Sequence, residues 1–271
     1  GHFLTAAIDA IEAMVTDFLA RRPIPQVAAE LARLHRAAND ALGGSADRYD
    51  IEGAQLLRRL IARRCIYGVD MNPISVELAR VSVWIHTFVP GLPLSFLDRT
   101  LVVGDSLTGI GTVAEALEAL VGTSLDTGSF QNVSFFDDPV REGLRAAEEP
   151  LRRLGAISDA TLDEVAEALE IAGAARAAVQ PISDLFDLIV AQRLGEVRVP
   201  PKAHFGQLPE EVVAVGRRVA HELSVIHFPV AFPEVFLRER GGFDVIVGNP
   251  PWEEVTVERN RFWAAHAPGL K

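Results

Sequence analysis

Apolar positions recur at helical spacing from the first residues of the chain, with Leu4, Ile8, Ile11, Val15 and Leu19 on one stripe. Pro23 and Pro25 break that helix. A second helical stretch runs from about Gln26 to Ala41 and closes at Gly43-Gly44, and a third runs from about Ile51 to Arg64. The pattern then changes. Ile66-Tyr67-Gly68-Val69-Asp70 is a short apolar run ending in an acid, which predicts a buried strand. Asn72 is a good helix N-cap, and Pro73 sits at the first helical position, where its missing N–H costs nothing. Ile74, Leu78, Val81, Ile85 and Phe88 predict the buried stripe of the helix that follows. After the connection Pro90-Gly91-Leu92-Pro93, Leu101-Val102-Val103-Gly104-Asp105-Ser106-Leu107 reads as another short buried strand ending in Gly-Asp. Strand, carboxylate and capped helix form half of a dinucleotide-type fold, whose ligands lie beyond the carboxyl ends of the strands. A carboxylate at the Asp70 position suits the two hydroxyls of a ribose; its alternative role is a second capping group for the helix.

From residue 111 to about 240 the periodicity is helical. Glu115 to Val121, Val140 to Leu154, Leu162 to Val179 and Glu210 to Leu223 are rich in Ala and Glu, with Gly- and Pro-containing breaks at 122–132 and 195–209. This predicts a helical insertion at the sheet edge. Beyond it, Phe243-Asp244-Val245-Ile246-Val247-Gly248 is again a β-branched apolar run and predicts a strand, followed by Asn249-Pro250-Pro251-Trp252. The prolines stop that strand and stiffen the backbone. A carboxamide oxygen and a fixed carbonyl are two acceptors matched to the two N–H groups of an exocyclic amine, and an indole offers a stacking face for a nucleobase. The simpler alternative is a turn after a strand with Trp252 as surface cover.

Composition adds limits. With 49% hydrophobic and 23% charged residues over 271 positions, the chain has the make-up of a soluble globular protein with one large α/β domain or two smaller ones. No uninterrupted apolar run approaches the about eighteen residues that a membrane span needs. The single cysteine, Cys65, rules out internal disulfides and predicts a small buried group beside the strand it precedes. The histidines are scattered without acid or cysteine partners at ligand spacing, so no metal site is expected. Arg58, Arg59, Arg63 and Arg64 on the third helix could meet phosphate, but a solvated helix face is the expected reading. The net charge of −11 supplies little of the basic surface that nucleic-acid binding draws on.

The segment Phe243 to Trp252 resembles the catalytic motif of the amino-methyltransferases, which use S-adenosyl-L-methionine to methylate an exocyclic or amide nitrogen. Together with Phe228-Pro229-Val230-Ala231-Phe232-Pro233-Glu234-Val235-Phe236 and the Trp252 ending, it resembles the adenine-specific (N6) DNA methyltransferases of type IIG restriction-modification and BREX-type phage-defence systems. The resemblance implies an α/β, Rossmann-like class I methyltransferase sheet, incomplete here, with a largely helical insertion. Residues 1–110 would be the cofactor-binding part without its first strand, 111–240 the insertion, and 241–271 the catalytic strand and loop. It implies Asn249, Pro250, Pro251 and Trp252 as catalytic residues. On the cofactor side, Gly1 matches the last glycine of the loop around the methionine end, Asp70 the ribose ligand and Asp105 the partner of the adenine amine. Leu107 would pack on the adenine ring. The implied partners are double-stranded DNA, held largely through regions outside this chain, and other defence-system subunits, in the cytoplasm and away from membranes. Three alternatives stand beside this reading: the same chemistry on a protein glutamine or a ribosomal RNA guanine, an inactive remnant of the DNA enzyme, and a nicotinamide-dependent oxidoreductase. The last lacks a Gly-x-Gly-x-x-Gly and has no use for Asn-Pro-Pro-Trp.

Overall fold

The computed structural model describes residues 1–43, 50–94, 97–122, 139–199 and 208–248. The chain opens with three helices, α1 (His2–Arg21), α2 (Pro25–Leu42) and α3 (Gly53–Cys65). A βαβ unit follows: β1 (Gly68–Asp70), α4 (Pro73–His86) and β2 (Leu101–Val103). The two strands are parallel, with Gly68 opposite Leu101, Val69 opposite Val102 and Asp70 opposite Val103. Asn72 caps α4 as expected, its side chain accepting from the Ile74 N–H at 2.9 Å, with Pro73 in the first turn. Ile8, Leu57, Ile61, Val76, Val83 and Leu101 close one core over this unit.

The expected buried stripe of α4 is corrected by the structure. Ile74, Leu78, Val81, Ile85 and Phe88 all point outward, and Val76 and Val83 are buried instead. The helix carries two apolar faces, and only the one bearing Val76 and Val83 meets the sheet and α1. Cys65 is corrected as well: it is exposed rather than buried. The third helix corrects the arginine reading. Arg59 is buried, and Arg63 and Arg64 reach across to a second helical layer rather than into solvent.

That layer comprises α5 (Val113–Gly122), α6 (Pro139–Arg145), α7 (Glu148–Ala156), α8 (Leu162–Ala178), α9 (Gln180–Arg193) and α10 (Glu210–Glu222). Its core gathers on α9, where Ile182, Leu185, Phe186, Leu188 and Ile189 are buried against Val113, Ala116, Val140 and Leu144. The excursion leaves the sheet at Ile110 and returns at Phe228, and its two ends are clasped together. Asp105 forms a parallel bridge with Val225, the Phe228 N–H donates to the Ile110 carbonyl at 3.0 Å, and a Cβ on Gly109 would overlap the Ile226 carbonyl. Buried His227 accepts the Ile110 N–H on Nδ1 at 3.1 Å and faces Asp187 of α9 through Nε2 at 2.9 Å. One imidazole thus ties both ends of the excursion to its central helix.

Two single-turn helices, α11 (Phe228–Ala231) and α12 (Pro233–Phe236), complete the described elements, with Pro229 and Pro233 in their first turns. The strand expected at 243–247 is not formed. Val245, Ile246 and Val247 are 77%, 83% and 69% exposed and carry no regular structure. A strand holds its shape through a neighbour's backbone groups, and among the described residues the sheet consists of β1 and β2 alone. No helix among the described residues is long and apolar enough to cross a membrane.

Candidate functional site

Asp70 and Asp105 stand at the ends of neighbouring parallel strands. Asp70 closes β1, and Asp105 stands two residues past the end of the neighbouring β2. The Gly104 N–H donates to the Asp70 carbonyl at 3.0 Å, so the ladder itself sets one residue beside the other. Both side chains adopt the same local arrangement. Asp70 Oδ1 accepts the Asn72 N–H at 2.8 Å, and Asp105 Oδ1 accepts the Leu107 N–H at 2.8 Å. Each turn pins one carboxylate oxygen, and among the described residues no second hydrogen bond engages either group. Asp70 therefore closes a turn just ahead of the Asn72 cap, with acceptor capacity left over for a ligand's hydroxyl or amine. Leu107 is 89% exposed, so its side chain is free to cover a flat ring.

Gly1 is placed elsewhere. It caps α1, its carbonyl accepting the Leu4 and Thr5 N–H groups, and a Cβ there would press on the Ser82 side chain. Ser82 lies about 14 Å along α4 from the helix start that follows Asp70, at 1.5 Å per residue. The close approach that calls for a glycine is thus to α4. Asn249, Pro250, Pro251 and Trp252 lie outside the described residues.

What the structure adds is how the run toward Asn249 is anchored. The Phe243 ring sits among Tyr67, Phe228, Phe232 and Phe236, at centroid distances of 5.4, 6.1, 5.7 and 5.9 Å, edge-on in each case. Tyr67 immediately precedes β1, and its hydroxyl donates to Glu234 Oε1 on α12 at 3.0 Å. Arg99, in the turn leading to β2, pairs with the same oxygen. Burial pushes the Tyr67 phenol up and holds the Arg99 guanidinium below its ordinary range. Sequence reasoning passed over Tyr67, Arg99 and His227; the one available signal was the acid inside the aromatic and proline run at 228–236.

Tyr67, Arg99 and Glu234 line a cavity of about 210 Å³ shared with Arg63, Arg64 and Asp159. Three guanidiniums around one cavity resemble a phosphate site, but each already has a carboxylate. Arg63 pairs with Asp159 at 3.0 Å, Arg64 with Glu30 at 2.8 Å and Arg99 with Glu234. The charges are balanced, and the cavity is a seam between layers. Arg63 and Arg64 also donate to the Ile157 and Gly155 carbonyls at the end of α7, and Arg59 to the Asp159 carbonyl at 2.9 Å. The arginines of α3 thus cap a helix of the insertion.

Fold and site together define a mixed, mostly helical α/β protein whose parallel βαβ unit presents paired carboxylates where such folds receive ligands. The chain belongs to the Eco57I restriction-modification methylase family, whose family model matches residues 64–265. It is accordingly a methylase of restriction-modification type, with DNA as the implied substrate. No curated protein and no solved structure matches it.

Proposed function

We propose that the chain is the core of an adenine-specific N6 DNA methyltransferase of a restriction-modification or phage-defence system, with S-adenosyl-L-methionine as cofactor. The observation that carries this reading is the pair of pinned carboxylates at adjacent strand ends in a chain of the methylase family. Asp70 would take the cofactor's ribose hydroxyls, Asp105 its adenine amine and Leu107 the face of its ring. The cofactor, when bound, supplies a methyl group on an already activated sulfonium.

The chain's own contribution is placement. Asn249 and the Pro250 carbonyl accept the two N–H groups of the target amine and aim its lone pair, and Pro251 keeps that backbone rigid. Trp252 stacks on the adenine, which must leave the duplex for its amine to reach the donor. No strong base is called for, because the amine loses its proton after transfer, so catalysis rests on positioning and oriented dipoles. The net charge of −11 assigns most of the grip on double-stranded DNA to regions outside this chain, together with any further defence-system subunits. The reaction would take place in the cytoplasm.

The test is transfer of a labelled methyl group from S-adenosylmethionine to unmodified DNA by the intact protein, followed by mass spectrometry of the digested nucleosides. N6-methyladenine is the expected product. Methylglutamine in protein or methylguanine in ribosomal RNA would move the reading to another acceptor. Cofactor binding without any transfer would make the chain a remnant.

A second expectation concerns the cofactor alone. Asp70→Ala should weaken S-adenosylmethionine binding by roughly 10- to 100-fold, the size of a lost hydrogen bond to a charged group. Calorimetry would check this, with Asp70→Asn as the control that keeps the acceptor for the Asn72 N–H. An unchanged dissociation constant for Asp70→Ala would remove the residue from the site.

A further inference from the structure

The link from Tyr67 through Glu234 to Arg99 spans three segments that the proposed reaction must hold in register. Tyr67 leads directly into β1, which ends at Asp70. Arg99 stands just before β2, beyond whose end lies Asp105. Glu234 belongs to α12, whose flanking rings Phe232 and Phe236 grip Phe243, the first residue of the run to Asn249. One carboxylate oxygen, Glu234 Oε1, receives both the tyrosine hydroxyl and the guanidinium. The other, Oε2, is buried without a hydrogen-bond partner among the described residues.

As a source of stability this is a poor design. A buried ion pair loses in desolvation much of what it gains by attraction, and apolar side chains of the same volume would serve as well. The aromatic cage already supplies apolar contact around Phe243. What the link adds is direction, since Oε1 accepts the Tyr67 hydroxyl and sits against the Arg99 guanidinium as an ion pair only when α12 stands in one position over the starts of both strands. The link also lies at the opposite end of the strands from Asp70 and Asp105, so it touches neither proposed reactant.

We propose that Glu234 is a positioning residue: by joining Tyr67 and Arg99 it sets where the Phe243–Gly248 run begins relative to the two carboxylate-bearing strands, and so governs the methyl-transfer step. The inference rests on the function proposed above. Breaking the link shifts the run toward Asn249 while leaving the Asp70 and Asp105 turns as they are. A displacement on the order of 1 Å in a positioned reactant costs up to about a hundredfold in rate.

The experiment uses the intact enzyme with Glu234→Gln, Tyr67→Phe and the double variant. It measures S-adenosylmethionine affinity by calorimetry, KM for DNA, and the single-turnover rate of transfer. The expected result is an affinity within about twofold of wild type, an unchanged KM, and a rate lowered about tenfold or more in Glu234→Gln. The double variant should be no slower than Glu234→Gln, because the link is already broken. Tyr67→Phe removes one oxygen from an otherwise intact ring and carries the test if Glu234→Gln does not fold. An unchanged rate in an active enzyme overturns this proposal alone, as does a rate that falls in step with affinity and melting temperature. A wild-type enzyme that transfers no methyl group overturns the functional reading and this proposal with it.

Discussion

Asn249→Ala should reduce methyl transfer by roughly 10²- to 10³-fold, the usual consequence of deleting one preorganised polar group that acts on a reacting centre. The carboxamide has two jobs in the proposed reaction: it accepts one N–H of the target amine, and with the Pro250 carbonyl it turns the nitrogen lone pair toward the methyl group. Alanine does neither. Cofactor affinity should stay within about twofold, because the groups assigned to the cofactor sit on β1 and beyond β2. The measurement is a single-turnover rate on unmodified DNA beside a calorimetric dissociation constant for S-adenosylmethionine. A variant that keeps most of its rate would show that Asn249-Pro250-Pro251 is only a turn. One that loses cofactor affinity and rate together would place Asn249 in the cofactor site.

The second large effect belongs to the seam between layers. Asp159 is 1% exposed in its side chain and pairs with Arg63, itself 11% exposed, while Arg59 beside it is buried too. Burial lowers the Arg59 guanidinium to about 10 despite the attraction of Asp159, and it lowers Arg63 by the same cause. Desolvation therefore outweighs the pairing, and Asp159 supplies the compensating charge for two buried cations. Asp159→Ala leaves Arg59 uncompensated and Arg63 with Glu30 alone at 3.6 Å, and should cost about 3–5 kcal/mol, as breaking a buried pair from one side does. Urea unfolding would read the loss as a lower midpoint with an unchanged slope. Asp159 also has a φ of +54°, a region asparagine shares at little cost, so Asp159→Asn separates the charge from the backbone conformation. A loss under about 1 kcal/mol for Asp159→Ala would mean that water, not Asp159, solvates the arginines.

Particular residues show how far the chain could be read in advance. Asn72-Pro73 announced the start of α4, and Asp70 and Asp105 announced the ends of the two strands. The helical periods at 26–41, 162–179 and 210–223 lie close to α2, α8 and α10. The helix α9 was not legible, although five of its residues stand in the insertion core. It is buried on several sides, so Leu185-Phe186-Asp187-Leu188-Ile189-Val190-Ala191 shows no polar face to reveal its period. The α4 stripe was legible as a stripe but assigned to the wrong side. The four arginines of α3 looked like a solvated face, because nothing within the helix announces the carbonyls at the end of α7 that Arg63 and Arg64 cap or the Asp159 carbonyl that Arg59 meets.

The sequence by itself determined the local features: where helices begin and end, where the strands stop in carboxylates, and which polar groups follow the last apolar run. Caps, proline geometry and two-residue Asx turns act through the backbone over a few positions, so they are written into neighbouring residues. Tertiary structure alone decided which face of α4 is covered, that Arg63 meets Asp159, that His227 closes the excursion, and that Glu234 joins Tyr67 to Arg99. These are choices among surfaces and partners far apart in sequence, made by the area and the hydrogen-bonding groups that a neighbour brings. The same reason explains the apolar run at 245–247. Its composition is that of a strand, but only a backbone edge beside it makes one.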